Sequence, residues 1–291
     1  MSETARKTRR LGLAAAAAAL AAACSPISLF ATLSPKDPAL RSARNVAYGP
    51  NLRQRLDVYG PRGARIHPAP VAVFFYGGSW DSGRRQDYNW VGQALAAQGF
   101  VTVVPDYRIY PTVRYPGFLE DGAMAVRWAV DHAAQFGGDP GRIVLIGHSA
   151  GAYNAVMVGL DPGYLAAVGV DRRRIRAIAG LSGPYDFLPL DGDITTRIFG
   201  GSPDLPATQP TAHVRSDSPP AFLATGDSDT MVYPRNTTAL AASLRKAGVA
   251  VEEHHYAGLD HVRMVLALSR SFRKDAPVLA QMTAFLHKFA G

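Results

Sequence analysis

Arg142-Ile143-Val144-Leu145-Ile146-Gly147-His148-Ser149-Ala150-Gly151 is the stretch on which the reading of this chain turns. Residues 142–146 form a short aliphatic run of the kind that makes a buried strand. The run enters a glycine-flanked turn, and residues 153–160 carry on as a helix. Gly-x-Ser-x-Gly on its own arises often by chance, as a tight turn holding an ordinary serine. Set between a buried strand and a helix, it lifts the serine hydroxyl above the sheet edge. Glycines suit the turn because the serine backbone is strained, and side chains two residues either side would strike neighbouring elements. The helix start also aims its N-terminus and the Ala150 N–H at the space above Ser149.

Working outward, residues 71–76 read as a buried strand closed by Gly77-Gly78. Residues 90–98 read as a helix ended by Gly99, and 100–104 as a strand stopped by Pro105. Leu119, Ala123, Val126, Val130 and Ala133 recur at steps of three and four, the spacing of an amphipathic helix. Strands follow at 175–181, 221–225 and 249–256, with helices at 237–246 and 278–289. This alternation predicts an α/β fold, with one mostly parallel central sheet and helices on both faces. No internal repeat or composition break marks a second domain. The Pro- and Asp-rich stretch 184–219 has the weakest periodicity and is expected as loops or a small lid.

A serine hydroxyl is a weak nucleophile and needs a base, usually an imidazole steadied by a carboxylate. Behind a serine in this setting the chain order is Ser, then acid, then His, each just past a strand. Strand 221–225 leads into Gly226-Asp227-Ser228-Asp229. Asp229 is favoured as the acid. Asp227 is the rival, standing nearer the strand end where it suits a turn cap. Of eight histidines, His261 is best placed, in the loop Gly258-Leu259-Asp260-His261. His148 belongs to the turn and points away, His132 and His287 fall in helices, and His254 and His255 sit in the last strand. If His261 is instead an ordinary loop residue, Asp260 reads as a helix cap. On the favoured reading Ser149, Asp229 and His261 all lie beyond the carboxyl ends of strands in one sheet, where open α/β sheets bind ligands.

Tyr76-Gly77-Gly78-Ser79-Trp80 follows strand 71–76, and glycines there let backbone N–H groups face a ligand oxygen. Next in order come Asp106-Tyr107-Arg108, then Gly137-Gly138-Asp139-Pro140 leading to the serine turn, then the Asp229 and His261 loops. Together these blocks resemble the α/β-hydrolases, in particular the hormone-sensitive-lipase-related carboxylesterases and their feruloyl-esterase-like and arylformamidase-like branch. The resemblance spans residues 45–291. It implies an α/β-hydrolase fold with a small or absent cap and a catalytic set of Ser149, His261 and Asp229. The implied oxyanion hole is made by the N–H groups of Gly78, Ser79 and Ala150, with Gly77 permitting the turn. Neither a metal nor an organic cofactor is implied.

The relatives usually carry His where this chain has Tyr76. The donors are backbone groups, so the change bears on the packing behind the loop and on the substrates admitted. The Asp106-Tyr107-Arg108 block is expected to brace that loop. Trp80, Tyr153 and Tyr185 are candidates for the substrate pocket, with core packing as the competing reading. The implied reaction is hydrolysis of carboxylic esters with short acyl or small aryl groups, because no long apolar lid segment is present. An arylformamidase, an amidase or an acyltransferase would use the same side chains. The reading from another class is a non-catalytic, membrane-tethered binding module.

Composition sets outer limits. The 291 residues are 47% hydrophobic and 19% charged, which excludes disordered, collagen-like and coiled-coil classes. A single cysteine excludes an intrachain disulfide and any thiolate-rich metal site. The net charge is +8; once Arg6, Lys7, Arg9, Arg10 and Glu3 are set aside, 27 basic and 22 acidic side chains remain. So thin an excess gives no ground for a nucleic-acid partner, and Arg172, Arg173, Arg174 and Arg176 read as a solvated turn. The expected partner is a small-molecule ester.

The basic start and alanine-rich run through residue 23 read as an export signal. Leu20-Ala21-Ala22-Ala23-Cys24-Ser25 resembles the bacterial lipobox, which usually has Leu where this chain has Ala21. The resemblance implies that Cys24 is lipidated; ordinary cleavage, or an uncleaved anchor running on toward Leu33, are the alternatives. All three place the protein outside the cytoplasm, periplasmic or membrane-tethered. Residues 24–44 are expected as a tether ahead of the catalytic domain.

Overall fold

The computed structural model describes residues 26–63 and 66–291. Its eight strands are β1 (Ala39–Ala47), β2 (Arg55–Pro61), β3 (Ala69–Phe75), β4 (Val101–Pro105), β5 (Gly138–His148), β6 (Ile175–Leu181), β7 (Ala221–Gly226) and β8 (Val251–Tyr256). They form one sheet in the order β1-β2-β4-β3-β5-β6-β7-β8. Only β2 runs against its neighbours; the pairings from β4 across to β8 are all parallel. The helices are α1 (Pro26–Leu33), α2 (Asn89–Ala97), α3 (Gly117–His132), α4 (Ala150–Leu160), α5 (Pro162–Ala167), α6 (Asp193–Phe199), α7 (Arg235–Lys246), α8 (His261–Leu266) and α9 (Val278–Ala290).

Burial follows the patterns that identified these elements. Every residue of β3 is buried, as a strand covered on both faces requires. Helix α4 is buried at all eleven positions, so its alanines, valines and glycines have no polar face to alternate with. Helix α3 buries Leu119, Ala123, Val126 and Ala129 along one stripe.

From β3 the chain crosses to β4 on one side, then returns past β3 to β5 on the other. The crevice at the carboxyl ends of β3 and β5 is therefore a topological switch point. Register aligns the neighbouring ends: Phe75 lies opposite Gly147, His148 opposite Leu181, Leu181 opposite Ala224 and Gly226 opposite Tyr256. The turns after β3, β5, β6, β7 and β8 consequently open on one rim.

Residues 26–44 are not the tether expected of them. Strand β1 pairs with β2 along its length, and α1 is fastened to the domain. The Ser28 hydroxyl donates to Asp87 at 2.8 Å, the Phe30 ring meets Trp90 edge-on at 5.2 Å, and Arg273 holds Asp37 at 2.6 Å. As an outer edge strand β1 exposes most of its side chains, and this polar make-up is what makes it read as linker. The export signal and Cys24 lie outside the described residues. Among those described, no helix is long and apolar enough to cross a membrane. The stretch 184–219 holds α6 and two short 3-10 turns, 206–208 and 210–213, and forms a small cap.

Candidate active site

β5 ends at His148 and α4 begins at Ala150, which leaves Ser149 alone at the turn with φ 56° and ψ −128°. Such a conformation costs on the order of 1–3 kcal/mol and persists only where its surroundings hold it. Here the Ser149 N–H donates to the Leu181 carbonyl at 2.9 Å. A Cβ at Gly147 would lie 2.1 Å from the Gly151 oxygen, and one at Gly151 would lie 2.1 Å from the Phe75 oxygen. Strand, turn and helix close on one another only because both residues are glycine.

His261, the first residue of α8, places Nε2 2.8 Å from Ser149 Oγ and Nδ1 2.8 Å from Asp229 Oδ2. The other Asp229 oxygen accepts the N–H groups of Met231 and Val232 at 3.0 and 2.9 Å. Burial pushes the Asp229 carboxyl up, but the His261 ring, the Val232 N–H and the Ser182 hydroxyl together bring it below its ordinary value. An ionised Asp229 accepts a hydrogen bond from Nδ1–H and so keeps the proton on that nitrogen, which leaves the Nε2 lone pair to accept from the serine hydroxyl. The rival, Asp227, accepts from Ser228 Oγ and from the Gly258 N–H, bracing the turn after β8. Asp260 does cap α8, accepting the Arg263 N–H at 2.8 Å, while its neighbour supplies the imidazole.

His148 has a task that the sequence concealed. Its Nε2–H donates to the His261 carbonyl at 2.9 Å, and the two rings lie 4.8 Å apart. Desolvation first, and the neighbouring His261 ring second, push the His148 imidazole down to about 3. It therefore stays neutral and ties the serine turn to the loop that carries His261.

The turn after β3 is held open by positive φ at Ser79 (50°) and Trp80 (58°). The Gly78 carbonyl closes it by accepting the Asp81 and Ser82 N–H groups at 3.0 Å. Gly77 packs directly on Ser149, and Gly78, Ser79 and Ala150 border the cavities around the serine. Behind this turn lies a buried polar network. Tyr76 stacks between Tyr88 and Tyr107 and donates to Asp106 at 2.8 Å. Burial and the Asp106 charge hold its phenol protonated, well above the usual range. Asp106 is also ion-paired with Arg85, which grips Asp57 at 3.0 Å. Tyr107 donates to the Tyr76 carbonyl at 2.7 Å, while Arg53 donates to the carbonyls of Tyr107 and Gly83 at 2.8 and 2.9 Å. Asp106 and Tyr107 thus brace the loop as expected, whereas Arg108 turns to α3 and pairs with Asp121 at 2.8 Å. Arg85, Asp57 and Arg53 carry no local motif that would have pointed to them.

Ser149 opens on two cavities. The first, about 180 Å³, is walled by Trp80, Phe187, Ile194, Met231 and Tyr233, with Asp191 and Arg235 also on its lining. The second, about 290 Å³, extends past Gly77 and Gly78 toward Ile27, Val262 and Val265. Trp80 lines the first cavity and donates to Asn154 at 3.0 Å. Tyr153 and Tyr185, the other two pocket candidates, are fully buried and border neither cavity. Tyr153 donates to the Thr208 carbonyl at 2.7 Å and sets its ring edge-on against Trp80; Tyr185 packs into the space left by Gly180 and Gly183. Core packing is the correct reading for both. Among the described residues no cluster of His, Cys, Asp and Glu converges to hold a metal ion.

With this geometry in hand, comparison with known proteins is informative. The profile of the BD-FAE family matches residues 56–244. Esterase LipC of Mycobacterium tuberculosis is 31% identical over 221 residues, covering 69% of this chain and 55% of LipC. A probable isoprenylcysteine alpha-carbonyl methylesterase of Arabidopsis thaliana, ICMEL1, is 29% identical over 247 residues, covering 77% of this chain and 51% of its own length. The chain spans about half the length of these curated relatives. Among solved structures, a tributyrin-phosphonate-inhibited esterase B of Lactobacillus rhamnosis superposes with a TM-score of 0.80 at 20% identity, covering 100% of this chain and 97% of that one. The propionate-bound Est2 esterase of Thermogutta terrifontis gives 0.67 at 26% identity, covering 80% and 89%. The sheet order, the serine turn and the extent of the profile match agree: this chain has the α/β-hydrolase fold and belongs to the BD-FAE family.

Proposed function

We propose that the protein hydrolyses carboxylic esters of short acyl or small aryl groups through a seryl acyl-enzyme. The observation that carries this reading is the unbroken relay from Ser149 Oγ through His261 to Asp229, 2.8 Å at each step. His261 Nε2 takes the Ser149 proton as Oγ attacks the ester carbonyl carbon. The N–H groups of Gly78, Ser79 and Ala150 receive the developing oxyanion. His261 returns the proton to the departing alkoxide, and water repeats the cycle on the acyl-enzyme. Asp229 stays ionised throughout and steadies the imidazolium. The names of the relatives, esterases and a methylesterase, support the same class of bond. The apolar run through residue 23 and the position of Cys24 support export and a lipid tether as part of the proposal.

The test is Ser149→Ala, assayed with p-nitrophenyl acetate and butyrate alongside a matched formamide and anilide. Turnover of the esters is expected to vanish while the unfolding curve stays unchanged. Turnover that survives the substitution contradicts the proposal, and a wild-type preference for the formamide or anilide reassigns the substrate class.

A further inference from the structure

We infer that the second cavity beside Ser149 is the subsite for the alcohol portion of the ester, and that Ile27 sets the size of alcohol it admits. The inference rests on the ester-hydrolase reading above and adds the side of the substrate that this cavity holds. When the acyl-enzyme forms, the bond between the carbonyl carbon and the alcohol oxygen breaks, and the proton on His261 Nε2 passes to that oxygen. The departing group must therefore lie on the His261 side of the serine. The second cavity is the one walled by Val262 and Val265, which belong to the helix that His261 begins. His261 and Met231 border both cavities, but the rest of the first one's wall comes mainly from the small cap, from Trp80 and from the turn that follows Asp229, with no residue of that helix beyond His261.

The chemistry of the two linings separates them further. Asp191 and Arg235 border the first cavity, whereas among the described residues no carboxylate, lysine or arginine borders the second. A neutral alkyl or aryl group is what the second can desolvate without leaving a charge unpaired. Its volume of about 290 Å³ falls at the lower edge of the ~300–1,000 Å³ usual for ligand pockets, which suits one branched or aromatic group and not a long chain.

Ile27 lines this cavity from α1, the helix expected to be part of a tether. The wall is firm. Ser28 is bonded to Asp87, Phe30 is wedged against both Trp90 and Phe272, and Ala31 is buried. Ile27 is thus a specificity residue contributed by the segment nearest to Cys24.

The experiment compares wild type, Ile27→Phe and Ile27→Ala in protein retaining residues 24–291. One series varies the alcohol on a butyrate (methyl, isobutyl, cyclohexyl, benzyl); the other varies the acyl chain of an ethyl ester. Ile27→Phe is expected to lower kcat/KM for the cyclohexyl and benzyl esters about tenfold relative to the methyl ester. Ile27→Ala is expected to shift the same ratio the opposite way, with relative rates across the acyl series unchanged in both. Opposite shifts cannot come from partial unfolding, which lowers every rate together. Shifts that follow the acyl chain, or no shift in either series, overturn the inference while leaving the esterase reading intact. A folded wild-type protein inert toward both series removes that reading, and the inference with it.

Discussion

Replacing His148 with glutamine should make the protein less sensitive to acid. The imidazole is buried beneath the serine turn as a neutral donor, and its value in the folded protein is about 3 against 6.5 when free. Because the folded value is depressed, the unfolded chain binds a proton that the folded chain refuses. Stability is thus fully present above about 6.5 and drains away as pH falls toward the folded value. At pH 5 the unfolded state has gained about 2 kcal/mol from this one group, at ~1.36 kcal/mol for each pH unit below 6.5. The figure depends on the unfolded value and hardly at all on how far below 5 the folded value lies. A glutamine amide can still donate to the His261 carbonyl but has no proton to gain. Urea denaturation at pH 8 and pH 5 is the assay: between the two, wild type should lose about 2 kcal/mol more than His148→Gln. Equal losses would refute the claim that the ring is held neutral. His148→Leu is the companion variant, since it strands the His261 carbonyl and should cost about 1–3 kcal/mol at either pH.

Other perturbations reach the remaining parts of the site. Asp229→Asn should lower kcat by about 10⁴ with little change in KM, because the imidazole loses the partner that fixes its tautomer; steady-state kinetics decide it. The pH profile of kcat/KM should fall on acidification with the slope of a single proton. Protonating His261 removes the base, while Asp229, held below the ordinary carboxylate range, remains ionised; a two-proton slope contradicts this assignment. Asp106→Ala should cost about 3–5 kcal/mol in a denaturation curve, because Arg85 is left buried with Asp57 alone and the Tyr76 hydroxyl loses its acceptor. Gly151→Ala should prevent folding, its Cβ meeting the Phe75 and Tyr76 carbonyl oxygens at 2.1 and 2.4 Å. Gly201→Ala, with nothing nearby, should leave solubility and the melting temperature unchanged.

The parallel core and the serine relay could be read in advance because both are written locally. Strand β3 and the second halves of β5 and β6 are apolar runs, as is most of β7; Ser149 and Asp229 sit within three residues of such a strand end, while His261 follows the polar β8 and is legible from chain order alone. Strand β2 was hidden by Asp57, a charge buried in its middle whose partner, Arg85, lies 28 residues away. Strand β1 is polar because it is an edge, and α1 follows directly on the apolar run before Cys24, so neither stood out. Tyr153 and Tyr185 show the opposite error. Closeness in sequence to a reactive residue does not say which way a ring faces, and both face inward. His148 was assigned its direction but not its bond, since its partner is 113 residues further on.

The separation of 112 positions between Ser149 and His261 also governs timing. A ribosome releases the hydroxyl long before the imidazole, and the strand leading to His261 is the last of the eight in chain order. A growing or truncated chain therefore cannot open an ester by this route. Competence waits for the relay, which is complete only when the turn after the final strand brings His261 to Ser149 and Asp229.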